Sequence, residues 1–245
     1  MSFMTADSTP QNRRTNTKLP GLEWKLLVGL WLCVVIVAAF KWVHGAFGFT
    51  LNGNAGRLIF FHVPQAELTF TSFMVATWFS IVYLAKRRNR EVDRKIEIAM
   101  ELGFLFCVLA TITGSMFAGV MWGSYWNWDP REISIVIMLL IYAAYLVLRS
   151  AVVDSEQRAM LSAAYVLISI VPAIFLIWVI PRIPALGSLH PSDTLFSRQG
   201  MSPRYKIVFW SSFLGFLGVY VWLFQIRLRL ARLQERKTER ELIAS

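Results

Sequence analysis

Apolar residues gather into six long runs separated by short polar stretches. A hydrocarbon core about 30 Å thick takes roughly 20 mostly apolar helical residues to cross. Six segments meet that requirement: Trp24–Val43, Ala66–Ala85, Leu102–Met121, Ile133–Leu148, Ala159–Ile180 and Ile207–Ile226. Lys25 and Lys41 lie near the ends of the first run, where their side chains can snorkel to the headgroups. That run is long, and no small-residue cleavage site follows it, so it is predicted to be a retained helix rather than a signal peptide. Pro172 is predicted to kink the fifth helix, which neighbouring helices tolerate by satisfying the freed carbonyl. The pattern predicts an all-α integral membrane protein of six transmembrane helices. Residues 1–20, polar and rich in Ser, Thr, Asn and Pro, are predicted to be a disordered tail. Residues 21–226 form the six-helix domain. Residues 227–245 form a basic helix or tail, either a positive-inside anchor or a contact for a cytoplasmic partner.

Basic residues fix the expected orientation, because cytoplasmic loops collect Lys and Arg. Most of the 25 fall in alternate connections. The N-terminal tail has Arg13, Arg14, Lys18 and Lys25. The connection after span two has Lys86, Arg87, Arg88, Arg90, Arg94 and Lys95. The one after span four has Arg149 and Arg158. The C-terminal tail has Arg227, Arg229, Arg232, Arg236, Lys237 and Arg240. Both termini are therefore expected in the cytoplasm, and the connections after spans one, three and five on the outer face.

Composition agrees with a membrane protein. Hydrophobic residues make up 56% and charged residues 16% of the 245, and mean hydropathy is +0.51, whereas soluble domains carry roughly 25% charge. The net charge of +10 is distributed as a membrane protein distributes it, so membrane lipid and not nucleic acid is the expected contact. The two cysteines, Cys33 and Cys107, lie inside apolar runs with no C-x-x-C spacing. This excludes a thiol oxidoreductase of the usual kind and a c-type cytochrome, and predicts packing roles. No Walker A motif, nucleophile elbow or dinucleotide fingerprint occurs, so any ATP-driven step must come from another subunit.

Candidate chemistry concentrates on the outer face. Met121–Ser134 reads M-W-G-S-Y-W-N-W-D-P-R-E-I-S and holds Trp122, Tyr125, Trp126 and Trp128, then Asp129 and Arg131. An aromatic belt spreads over all helix ends and does not require this clustering. A loop of this kind suits a large flat ligand with charged edges, and Asp129 and Arg131 are also candidates for a local ion pair. The three histidines, His44, His62 and His190, all fall on the same face. Pro64 and Pro191 follow two of them and restrict the backbone there. Two opposed neutral imidazoles can supply both axial ligands of a haem iron. Its propionates would then need cations such as Arg131, Arg57, Arg198 or Arg204. No H-x-x-x-H or H-E-x-x-H occurs, so a porphyrin-free metal site is disfavoured. Glu67 and Glu132 open apolar runs. Each is a candidate helix cap or a partly buried functional acid. Thr111, Thr113, Gly114, Ser115 and Gly119 give span three a small-residue face suited to helix packing.

The run Trp122–Arg131 resembles the tryptophan-rich "WWD" signature of haem-handling proteins in cytochrome c maturation. With R-L-I-F-F-H-V-P (Arg57–Pro64), T-G-S (Thr113–Ser115), S-L-H-P (Ser188–Pro191) and M-S-P (Met201–Pro203), the chain resembles the haem exporter protein C family, CcmC, over roughly residues 24–226. Tyr125 stands where the signature usually has Trp, and D-P-R-E follows where D-A-R-L-T is commoner. The Y-W-N-W-D-P-R-E form found here is more like the sister branch, CcsA, which generally has more spans and further histidines. The resemblance implies haem b bound transiently on the periplasmic face of the cell inner membrane. His62 and His190 would be its iron ligands, and Trp122, Tyr125, Trp126, Trp128, Asp129 and Arg131 its platform. It also implies delivery of that haem to a periplasmic haem chaperone, within a complex of ABC transporter ATPase and membrane subunits and a small single-span accessory subunit. No enzymatic residues are implied. The alternatives are haem attachment to apocytochrome c, as in the sister branch, and a bis-His electron carrier. Ligands in loops or at helix ends argue against the carrier, and spans almost free of midplane polar residues argue against a solute channel.

Overall fold

A computed structural model describes residues 21–43, 55–85, 89–190 and 202–244. Every regular element among them is helical: α1 (Leu22–Lys41), α2 (Ile59–Ala85), α3 (Arg90–Trp122), α4 (Pro130–Ala151), α5 (Ser155–Ile174) and α6 (Pro203–Ala244), with short 3-10 and π turns at the ends of α2 and α5. Six helices are long and apolar enough to cross a membrane, as the apolar runs predict. His44, Pro191, Arg198, Met201 and the tail 1–20 lie outside the described residues.

The helices run beyond the apolar runs, and the reasons are local. α2 starts at Ile59, seven residues before the predicted Ala66, and carries Pro64 inside it. Proline lacks an N–H and leaves the carbonyl four residues back without its helical donor. That carbonyl is Phe60's, and the Ser212 hydroxyl of α6 donates to it. α3 begins at Arg90 behind Asn89, whose side chain accepts from the Glu91 N–H at 2.7 Å. This N-cap lets the helix start well before its apolar part. α6 continues without a break through its basic end, as expected, to about 63 Å at 1.5 Å per residue.

Tyr142 of α4 ties the centre of the bundle together. It is fully buried, and its hydroxyl donates to the Thr69 carbonyl of α2 at 2.7 Å. On α3, Gly103 leaves the space its ring fills. α1 lies at the periphery against α6, with Val28 and Leu32 seated over Gly218 and Gly215. Most of its apolar surface is open, as suits a helix facing lipid tails. α5 keeps α-geometry for only two residues past Pro172, then widens into a π turn at Phe175–Val179 and 3-10 turns through Leu186. A π turn aims side chains where a regular helix would not, and here they line the site.

Candidate functional site

A cavity of about 220 Å³ opens between the first turns of α2, the last turns of α3, the start of α4 and the irregular end of α5. A single ordered water needs only about 10–15 Å³ by this measure, so the space suits an organic ligand. His62, Glu67, Trp122, Trp126, Arg131 and His190 line it, together with Trp178 and Arg182. The structure therefore brings two of the three histidines and two of the three signature tryptophans to one wall.

His190 is held by the signature loop. Asp129 is the N-cap of α4 and forms a capping box with Glu132. The Glu132 carboxylate accepts from the N–H groups of Asn127 at 2.7 Å and Asp129 at 3.2 Å. Glu132 is thus a cap, one of the two roles its position suggests. The Asp129 carboxylate accepts from the Arg131 N–H at 2.8 Å. It also reaches across the bundle to accept from the Leu189 N–H at 2.6 Å and the Ser188 hydroxyl at 3.0 Å. Its Oδ1 lies 3.0 Å from His190 Nδ1. Burial alone would raise the pKa of Asp129. The His190 ring and the Arg131 and Leu189 N–H groups outweigh it and hold the carboxyl well below the usual range. A carboxylate only accepts, so Nδ1 of His190 carries a proton, and in the neutral ring Nε2 is the atom left with a lone pair. This is the carboxylate–histidine arrangement found behind metal-ligating imidazoles. Among the described residues, Arg131 makes no ion pair with Asp129; the expected local pair gives way to a link with a loop sixty residues on.

His62 projects from the first turns of α2 onto α3. A Cβ added at Gly114 would stand 2.7 Å from its Cε1, so only glycine leaves room for the ring. Its Nδ1 is 3.2 Å from the Thr113 hydroxyl. Phe117 stacks beside it at 6.1 Å, Trp122 meets Phe117 edge-on at 5.8 Å, and Trp122 meets His190 edge-on at 4.6 Å. One aromatic chain therefore connects the two imidazoles. The small-residue face of α3 does more than pack helices: Gly114 seats His62, Gly119 seats the Tyr125 ring, and Ser115 donates to the Tyr125 carbonyl at 2.8 Å.

The remaining signature residues point outward. Tyr125 and Trp128 are exposed, and Trp126 meets Trp128 edge-on at 5.9 Å. Trp128 holds φ at 55°, a left-handed value rare for a bulky residue. Such strain persists where the surroundings impose it, here the capping box immediately after it.

Among the proposed cations, Arg131 lines the cavity, while Arg57 lies over Phe40 and Arg204 over Trp42, neither in its wall. Sequence reasoning missed Arg182 and Trp178. Both follow the π turn and line the cavity, with the Arg182 guanidinium 4.7 Å from the Trp178 ring. Three buried polar atoms in the wall, Arg131 Nε, Glu132 Oε1 and Ser134 Oγ, have no partner among the described residues. Buried polar groups are ordinarily paired, so this wall suits a ligand with polar edges. Among the described residues, no cluster of three or more His, Cys, Asp or Glu side chains could hold a bare metal ion.

Comparison with known proteins gives the family. The family model described as heme exporter protein C matches residues 11–243. Heme exporter protein C of Rhodobacter capsulatus is 29% identical over 220 residues, covering 87% of this chain and 81% of that protein. The Escherichia coli K12 protein of the same name is 29% identical over 217 residues, covering 84% and 85%. The Bradyrhizobium diazoefficiens protein reaches 33% over 117 residues, 48% of this chain and 44% of its own. The match along nearly the whole sequence, over a six-helix bundle whose signature loop closes on His190, makes this chain a member of the heme exporter protein C family, CcmC.

Proposed function

We propose that this chain holds haem b between His62 and His190 on the periplasmic face of the inner membrane and passes it to a periplasmic haem chaperone. Its family ties it to haem handling in cytochrome c biogenesis, as a multi-pass membrane protein. The observation that carries the finer reading is the pair of imidazoles on one cavity, joined by Phe117 and Trp122, with Nε2 of His190 left free by Asp129. A haem iron would take Nε2 from each side. Trp122 and Trp126 would pack on the porphyrin. Arg131 and Arg182 would meet the propionates, because guanidinium forks match carboxylates. Tyr125 and Trp128, exposed at the rim, would contact the haem edge or the chaperone that takes it.

Haem here is cargo rather than a resident catalyst, and the chain needs no catalytic group of its own. Both termini would lie in the cytoplasm, where the basic ends of α3 and α6 collect. The work of releasing the loaded chaperone would belong to ABC transporter ATPase and membrane subunits, with a small single-span accessory subunit completing the complex. Six apolar helices favour this role over apocytochrome attachment by the longer sister branch. The test is transfer. Haem-loaded protein mixed with the purified chaperone should lose its haem spectrum as the chaperone gains one. Retention of all haem by this chain, with an active chaperone present, would contradict the delivery role.

A further inference from the structure

Each imidazole of the site has a polar side-chain partner at Nδ1, but the two partners differ in kind. Asp129 backs His190 with a carboxylate at 3.0 Å, and Thr113 backs His62 with a hydroxyl at 3.2 Å. A threonine hydroxyl has one proton to give. That of Thr113 goes to the Leu109 carbonyl, 2.7 Å away and one turn back in α3, with Ala110 a longer alternative at 3.4 Å. With its proton spent within the helix, Oγ1 has only lone pairs to offer His62. Nδ1 of His62 is then the donor, and Nε2 is the ring's free lone pair. Gly114, beneath Cε1, restricts how the ring can turn.

We propose that Thr113 is a positioning residue of the haem site. It fixes His62 in the Nδ1–H tautomer and backs it with a neutral oxygen, where Asp129 backs His190 with a charge. This rests on the haem reading above. A charged acceptor behind an imidazole raises its basicity, so His190 is the stronger iron donor and His62 the weaker. The iron bond to His62 is the one that yields first when haem is handed on.

The test uses the full-length protein in detergent. Replacing Thr113→Val removes the hydroxyl acceptor while keeping the shape, and leaves the ring only the Ala110 carbonyl. Haem affinity should fall about tenfold or more, the usual cost of losing such a partner, with a high-spin fraction in the absorption spectrum. Thr113→Ser should restore both. A low-spin spectrum and affinity unchanged in T113V, or T113S no better than T113V at equal folded yield, would overturn the proposal. Nitrogen-15 shifts of histidine-labelled, haem-free wild type give a reading independent of any variant. They should assign the His62 proton to Nδ1, and a proton on Nε2 would overturn the proposal. Loss of the haem reading itself would look different: the wild type would carry no low-spin haem while the tautomer remained Nδ1–H.

Discussion

The two ends of the bundle are built on different principles. At the basic end, α3 and α6 extend as unbroken helices and are laced by ion pairs: Arg227–Glu101, Arg232–Glu91, Arg94–Glu235 and Arg149 with Asp93 and Glu97. At the site end, helices finish in a π turn, 3-10 turns and a strained Trp128, and buried polar atoms of Arg131, Glu132 and Ser134 lack partners among the described residues. One end pairs most of its charged side chains with one another. The other leaves polar groups open around a cavity. The first arrangement suits holding helices together, the second suits holding something that must later leave.

The sharpest way to break that contrast is to remove Asp129, the residue joining the signature loop to the 188–190 loop. Asp129→Ala deletes the α4 cap, a loss of about 1 kcal/mol, and frees His190. Haem retention should fall at least tenfold, read from the absorbance of the purified protein. Asp129→Asn keeps an acceptor oxygen and should fall between the two. Gly114→Ala should come next. Its methyl group meets the His62 ring, so the low-spin spectrum should weaken while helix content by circular dichroism holds.

At the opposite end the readouts should separate. Arg149→Ala strands Asp93 and Glu97 without their shared, mostly buried cation. We expect about 2 kcal/mol of destabilisation, below the 3–5 of fully buried pairs, seen as a lower Tm with the haem spectrum intact. Arg232→Ala removes a half-exposed pair and should lower the Tm by less than Arg149→Ala does. A haem-binding defect in either variant would mean that the two ends are coupled.

Asp129 also sets a pH dependence. Its folded carboxyl is held below its unfolded value, so the stability it contributes is complete above the ordinary carboxylate range near pH 4. It is lost progressively as pH falls below that range, where the unfolded state binds the proton first. The Tm of haem-free wild type should drop more steeply below pH 4 than that of D129N.

The sequence makes the six spans and the aromatic cluster legible, because bilayer thickness dictates run length and the signature is local. It hides what depends on distant partners. The early start of α2 is obscured by Pro64, whose freed Phe60 carbonyl is satisfied by Ser212, 152 residues away. Asp129 has a local candidate in Arg131 and binds His190 instead. Arg182 ends an apolar run and looks like a boundary residue until the π turn carries it to the cavity. Thr113 and Gly114 read as packing because small residues on a membrane helix usually are.

The central claim is that His62 and His190 together hold haem iron. The most direct measurement is the absorption spectrum of purified wild type beside His62→Ala and His190→Ala at equal protein concentration. The wild type should show low-spin, bis-imidazole haem, and each single variant should lose it. An undiminished low-spin spectrum in either variant would contradict the assignment.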